Sequence, residues 1–403
     1  MVRRIIDRMA AATAALSVLA ACGGHAASPA PTPSAGQFSV AAANLGEAEL
    51  RQLRGEQPRT TVLISPLGFE AALAMLSQGA QGDTAANLRT GLRFEAQGLS
   101  LQGAADGFAN LRQVLTGSPG VTMNLADGVW VDHRVALKPT FADAQSGPFA
   151  ARIASADFAD PATLGQINGF VSDATNGKIP TILATLAPAS RLVLINALYF
   201  KGAWATPFKP SATVAQPFTT AGGQVIQAQT MQQAGSFDYL ETAAFQSVTL
   251  PYKDPRFELV LLLMKDPNAD PAAGWTAALA PAGYHEREGF VALPRLDLTW
   301  GGDLLGSLSA VGLATALGPR ADYGGVADGP LSVGEIIHKT RLVVDEEGSE
   351  GAAATAVVME TTARPMPPTD RFSFIANRPF WLLLRERITG APLFVGYVAA
   401  PQG

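Results

Sequence analysis

From Asp345 to Ala356 the chain reads Asp-Glu-Glu-Gly-Ser-Glu-Gly-Ala-Ala-Ala-Thr-Ala, a run of small residues with no proline and one charge beyond Gly348. Such a run can be an exposed loop or an additional β-strand. Val357-Val358-Met359-Glu360-Thr361-Thr362-Ala363 continues it with β-branched residues. It stops at Arg364-Pro365-Met366-Pro367-Pro368, where missing N–H groups bar further sheet pairing. Alternate side chains of a strand face opposite sides of its sheet. One parity here holds Ser349, Gly351, Ala353, Thr355, Val357, Met359 and Thr361, all uncharged. The other holds Gly348, Glu350, Ala352, Ala354, Ala356, Val358, Glu360 and Thr362, and carries both glutamates. A flexible Ala/Gly linker is the competing reading, but a linker has no reason to sort its charges by parity.

The 403 residues are 48% hydrophobic and 16% charged, a globular composition with ample material for a core. A net charge of −5 gives no electrostatic case for nucleic acid as a partner. No internal repeat is visible. The single cysteine, Cys22, excludes a disulfide within the chain. Arg3, Arg4 and Arg8 precede an apolar run, Met9 to Ala21, of about 13 residues, too short to cross a membrane as a helix but suited to a signal peptide. Leu19-Ala20-Ala21-Cys22-Gly23 resembles the bacterial lipobox, whose cysteine is acylated. The alternative is an ordinary secretory signal cleaved at or after Ala21. The expectation is residues 1–21 as a lipoprotein signal and export to the cell envelope. Gly23, rather than Asp, after the cysteine resembles lipoproteins sent on to the outer membrane, so Cys22 would be anchored there, facing periplasm or exterior. Residues 22–37 read as a Pro/Ala/Ser tether, with His25 a solvated member of it, and one folded domain then spans 38–403.

Ser65-Pro66 opens a helix with a hydroxyl cap and a proline at the first helical position, and Leu67, Phe69, Ala72, Leu73 and Leu76 follow at helical spacing. Asp83-Thr84 is expected to cap a second short helix; others read at about 161–176 and 302–317. Strands read at 121–131, 192–200, 257–264 and 331–344, with a late hairpin, 380–388 and 392–399, turning at Thr389-Gly390. The mixture predicts an α+β fold.

Several blocks, in order, are similar to those of the serpins, inhibitors that trap proteases by inserting a cleaved loop into their own sheet. Ser65-Pro66 to Thr84 resembles the helix B region and the turn after it. Ile167-Asn168-Gly169-Phe170-Val171 with Thr175-Asn176-Gly177-Lys178-Ile179 resembles the "IN-x-WV … T-x-GKI" block, with Phe170 for Trp. Asn196-Ala197-Leu198-Tyr199-Phe200-Lys201-Gly202-Ala203-Trp204 resembles "N-x-x-x-FKG-x-W". Leu250-Pro251-Tyr252, Leu293-Pro294-Arg295 and Phe374-Ile375-Ala376-Asn377-Arg378-Pro379-Phe380 match further signatures, and the run from Asp345 resembles the reactive-loop hinge. Each block is weak alone; their order over about 330 residues is not.

The resemblance implies a serpin fold: a central mixed β-sheet, surrounding helices and an exposed reactive-centre loop at about 346–372. It implies a monomer that uses no cofactor or metal and whose partner is a target serine protease, held as a covalent acyl complex. The hinge would be Glu346, Glu347, Gly348, Ser349, Glu350, Gly351, Ala352, Ala353, Ala354 and Thr355. Ser65, Asn196 and His338 would form the polar shutter beneath the sheet's opening. Trp204, Arg295 and Glu346 would form the breach at the sheet's end, with Arg295 replacing the family's Lys. Two departures are visible: Gly68 stands where a second shutter Ser is common, and Gly351 where Ala is usual. The family's spacing from Gly348 places the reactive bond at Thr362–Ala363, whereas counting back from Phe374 lands at Pro368. The hinge count is the one adopted, since inserted length is what the sheet measures. Thr362 implies a small-pocket, elastase-like target.

Two other function classes compete. A hydrolase would need a nucleophile elbow, a Ser-x-x-Lys or a His-Glu-x-x-His pattern, and the sequence has none of them; His25, His133, His285 and His338 show no metal-like spacing. The protein is therefore not expected to be an enzyme. A non-inhibitory serpin, acting as a binding or chaperone-like envelope lipoprotein, would typically carry bulky or charged hinge residues, which Ser349 to Ala356 lack apart from Glu350.

Overall fold

Among the described residues the first element starts at Pro33, ahead of Phe38. Thr32 caps the first helix, α1 (Pro33–Glu56), by accepting the Ala35 N–H at 3.3 Å, while its own N–H donates to Asn110 at 2.8 Å. Ala35 and Phe38 are fully buried. A Pro-Thr-Pro run reads as tether, yet a proline at the first helical position is preorganised for a helix, so the tether assigned to residues 22–37 ends about five residues early. The structure, a computed structural model, describes residues 29–116, 120–266, 269, 275, 280–329, 331–349 and 371–401.

Further helices are α2 (Pro66–Ser77), α3 (Gly82–Gly91), α4 (Leu101–Thr116), α5 (Pro139–Ser146) and α6 (Pro161–Ala174). Thr84 does not cap α3: that helix begins at Gly82, and the buried Thr84 hydroxyl instead accepts the Asp322 N–H at 2.8 Å. The helix expected over 302–317 starts at Leu305, because Asp303 still belongs to a strand, and it breaks at Gly312, whose φ is 118°.

Two sheets carry the fold. The first joins β2 (Val121–Asp132), β3 (Arg152–Ala156), β4 (Leu192–Ala203), β10 (Leu296–Asp303), β11 (Glu335–Val344) and β12 (Gly348–Ser349) in the order β10-β11-β12-β4-β2-β3. It is mixed: β11–β4 and β2–β3 are parallel, the other pairs antiparallel. The second sheet holds β1 (Val62–Ile64), β6 (Val225–Glu241), β7 (Phe245–Pro251), β8 (Phe257–Met264), β9 (His285–Pro294), β13 (Phe372–Ile375), β14 (Phe380–Glu386) and β15 (Pro392–Val398), with β5 (Val214–Thr219) paired to β6.

The six-stranded sheet is covered on both faces. Its inner face, with Leu194, Leu198 and Val129, joins the main core with α1, α2 and α4. Its outer face, with Trp130, Val193 and Ile195, packs on Ile167 and Val171 of α6. Burial on two sides is why β4 reads as an almost unbroken apolar run.

Candidate functional site

The end of β11 turns back on itself. Asp345 Oδ1 accepts the N–H groups of Glu347 at 2.9 Å and Gly348 at 3.1 Å, an Asx-type turn, and Asp345 N–H donates to Gly348 O at 2.9 Å. The reversal sends Gly348–Ser349 between β4 and β11, antiparallel to both: Gly348 pairs with Ala203, and Ser349 with Gly202 and Val344. Two hinge residues, Gly348 and Ser349, thus already occupy the sheet. Gly348 is required there by contact, since a Cβ would stand 2.1 Å from the Gly202 carbonyl oxygen and 2.8 Å from Ala203 Cα. Ser349 is fully buried, and its hydroxyl lies 2.5 Å from the Tyr252 hydroxyl.

Trp204 and Arg295 hold the turn from two sides. Trp204 donates its backbone N–H to Glu347 O and its indole N–H to Asp345 O, both at 2.9 Å, and its ring stacks on Tyr252 at 4.6 Å. Arg295 Nε reaches the two Glu346 oxygens at 2.9 and 3.0 Å, and Thr213 Oγ1 also donates to this carboxylate. Burial pushes the Glu346 carboxyl up, but the hydrogen bonds from Arg295 and Thr213 outweigh it and hold it below the usual carboxylate range. Arg295 and Glu346 therefore form an ion pair, Trp204 bonds the residues on either side of Glu346, and Thr213 and Tyr252 join them.

Lower in the sheet, β4 and β11 pair directly, Val193–Leu198 with Glu335–Thr340. Asn196 stands opposite His338 on one side and opposite Asp127 of β2 on the other, so three polar residues form one row across the inner face. All three are buried. Ser65 N–H donates to His338 Nε2 at 2.9 Å, which places the imidazole proton on Nδ1; burial pushes the histidine down to about 3, so it is neutral.

Asn196 does not bond Ser65. Its amide donates to Asp127 Oδ1 at 2.7 Å, while the Ser65 hydroxyl caps α2 by accepting the Gly68 N–H at 3.2 Å. Gly68 is packed against the Asn196 amide so closely that a Cβ would lie 2.2 Å from Asn196 Oδ1. A carboxylate from β2 has taken the role that the resemblance gave to a hydroxyl from α2. Asp127 belongs to none of the motifs that carry the resemblance, so no sign of this partner stands in the sequence.

Glu350, Gly351, Ala352, Ala353, Ala354 and Thr355 of the hinge, the Thr362–Ala363 bond and Cys22 lie outside the described residues. His133 does meet two carboxylates, Asp132 and Asp157, a grouping its sequence spacing does not show. The Arg134 guanidinium binds both Asp132 oxygens and holds that carboxyl down at about 2, so this member of the grouping already has a cationic partner.

A family model described as serpin (serine protease inhibitor) matches residues 41–401. The chain belongs to the serpin family. It is 31% identical over 373 residues to the leukocyte elastase inhibitor of Bos taurus, covering 87% of this serpin and 95% of that protein. Iripin-5 of Ixodes ricinus is 30% identical over 362 residues, covering 86% and 91% respectively. Among solved structures, human thyroxine-binding globulin superposes with a TM-score of 0.81 at 23% identity, covering 92% of this chain and 100% of its own. That likeness bears on the fold alone. Serpins are mostly protease inhibitors rather than enzymes, and some members are binding globulins.

Proposed function

We propose that this serpin inhibits serine endopeptidases as a suicide substrate, held in the cell envelope by an acylated Cys22. The seated Gly348–Ser349 dipeptide is the observation that carries the reading: the sheet already accepts the start of the loop as a strand. A protease serine attacks the Thr362 carbonyl carbon, the bond to Ala363 breaks, and the Thr362 acyl group stays on the enzyme as an ester. The freed upstream arm then extends β12 between β4 and β11. About 14 residues at roughly 3.3 Å each carry the attached protease some 45–50 Å. At about 1 kcal/mol net per new hydrogen bond, insertion releases on the order of 10 kcal/mol before side-chain burial. This is comparable with the whole stability of a domain, enough to distort a tethered enzyme before water completes deacylation.

The test is incubation with a panel of serine proteases, elastase-like enzymes first. An adduct that survives detergent, with the cut mapped to Thr362–Ala363, is the expected result. Clean turnover by every protease, with no gain in heat resistance after cutting, would instead favour a binding role.

A further inference from the structure

The row Asp127–Asn196–His338 crosses the seam that insertion has to part, and each of its members keeps one buried polar atom unpartnered: Asp127 Oδ2, Asn196 Oδ1 and His338 Nδ1. Its two ends are titratable, and they titrate in opposite senses. We propose that Asp127 and His338 act as a compensating acid–base pair that keeps opening of the central sheet insensitive to pH across the mildly acidic range. This rests on the insertion reading above.

The chemistry of the row follows from its burial. With Asp127 as the neutral acid, its second oxygen becomes the donor that Asn196 Oδ1 lacks, and acid and amide can close on each other through two hydrogen bonds. His338, accepting from Ser65 and flanked by the rings of Phe69 at 5.8 Å and Trp300 at 6.2 Å, meets no countercharge among the described residues and stays neutral as well. Burial is the main cause at both ends. It pushes Asp127 up to about 7, against smaller opposing contributions from the Asn196 bond and the charge of Arg112 on α4, and it pushes His338 down to about 3. Of the other carboxyls on the packed elements, Glu70 of α2 is also raised by burial and feels Arg93, and Glu335, at the start of β11, is raised by burial and by the charge of Asp303 on β10.

When the row opens to water, Asp127 returns toward 3.8 and His338 toward 6.5. Between those values Asp127 releases a proton and His338 takes one up. The net uptake on opening is nil, so the opening equilibrium has no slope against pH. Either group alone would impose one. His338 by itself eases opening by up to tenfold for each pH unit of acidification, and Asp127 by itself opposes it by the same factor.

The experiment uses the full-length protein and Asp127→Asn, which keeps the hydrogen bond from Asn196 possible but removes the titration. Each is given a synthetic peptide with the sequence of residues 350–361, and the rate of uptake into the sheet is followed by native electrophoresis from pH 7 to pH 5. The parent should show a flat profile. Asp127→Asn should take up peptide roughly ten- to thirtyfold faster at pH 5 than at pH 6.5. Parallel profiles for the two proteins, or a steep profile for the parent, overturn the pair. If neither protein takes up peptide at any pH, the insertion reading fails. The pair is then judged on heat unfolding alone, where Asp127→Asn must lose stability relative to the parent on acidification. Should Asp127→Asn not fold, His338→Asn must show the opposite slope, with slower uptake in acid.

Discussion

Replacing Ser349 with Arg tests the central step most directly. Ser349 is 0% exposed and lies between two strands with its hydroxyl on Tyr252. The seated dipeptide is held by ladder bonds to β4 and β11 and by the Tyr252 hydroxyl, at about 1 kcal/mol net each, so on the order of 4 kcal/mol together. A guanidinium brought to the same place loses its water at an effective cost of several kcal/mol, and the neighbouring hydroxyls cannot neutralise it. The seat should be lost. The whole insertion, on the order of 10 kcal/mol, would remain downhill, but the penalty falls on its first step. Three to four kcal/mol there slows insertion by roughly 10²–10³, at about 1.4 kcal/mol per tenfold, enough to lose a race against deacylation. In the assay, parent and variant are mixed with an elastase-like protease and resolved in detergent. The parent should appear as a covalent adduct, and Ser349→Arg as cleaved serpin beside fully active protease. Adduct formation by the variant at the parent's stoichiometry would refute the reasoning.

Three further outcomes are expected. Gly348→Ala should unseat the dipeptide through the clash with the Gly202 carbonyl, and amide exchange at Gly202 and Ala203 should quicken at least tenfold by mass spectrometry; unchanged exchange would contradict the required contact. Arg295→Gln should destabilise the protein by about 1 kcal/mol at pH 7, a modest value because the guanidinium is partly solvated. Glu346 is held low in the folded state, so its contribution is present above its ordinary value of 4.5 and is lost as pH falls through the lower folded value. Calorimetry should therefore show the two proteins converging in acid. Glu49, buried and hydrogen-bonded by Ser307, is pushed up to about 7 by desolvation, so ionising it costs the folded state stability as pH rises from 4.5 toward 7. Glu49→Gln should accordingly raise stability at pH 8 by up to on the order of 3 kcal/mol relative to its effect at pH 4, as read by urea midpoints.

Much of this was readable in the chain. The α2 start at Ser65-Pro66, the edges of β2 and β8, the start of β4, and the hairpin of β14 and β15 follow from local chemistry: a cap, a proline at the first helical position, continuous apolar runs and a Thr-Gly turn. The breach was readable through family motifs, because Trp204, Arg295 and Glu346 sit in recognisable blocks. What was not readable depended on which side chain wins a shared partner. Asn196 prefers Asp127 because the Ser65 hydroxyl is committed to capping α2 and Gly68 brings the backbone, not a hydroxyl, to the amide. That competition is decided across three elements distant in sequence. The start of α1 was hidden for a simpler reason: proline within Pro-Thr-Pro signals both a tether and a helix, and the burial of Ala35 and Phe38 decides between them.

Between the seated dipeptide and the directly paired stretch, Tyr199–Lys201 and Arg341–Val343 have no ladder partner in each other, and Thr175, Lys178 and Ile179 cover the small hollow they leave. The two strands therefore meet as a fork whose crotch is already prised apart. An arriving arm has no nucleus to form; it advances the fork one residue at a time, breaking one register pair for every two it makes. Damage to this protein should then be graded by height: substitutions near the crotch delay the start, and those level with Val193 stall an arm that has nearly finished.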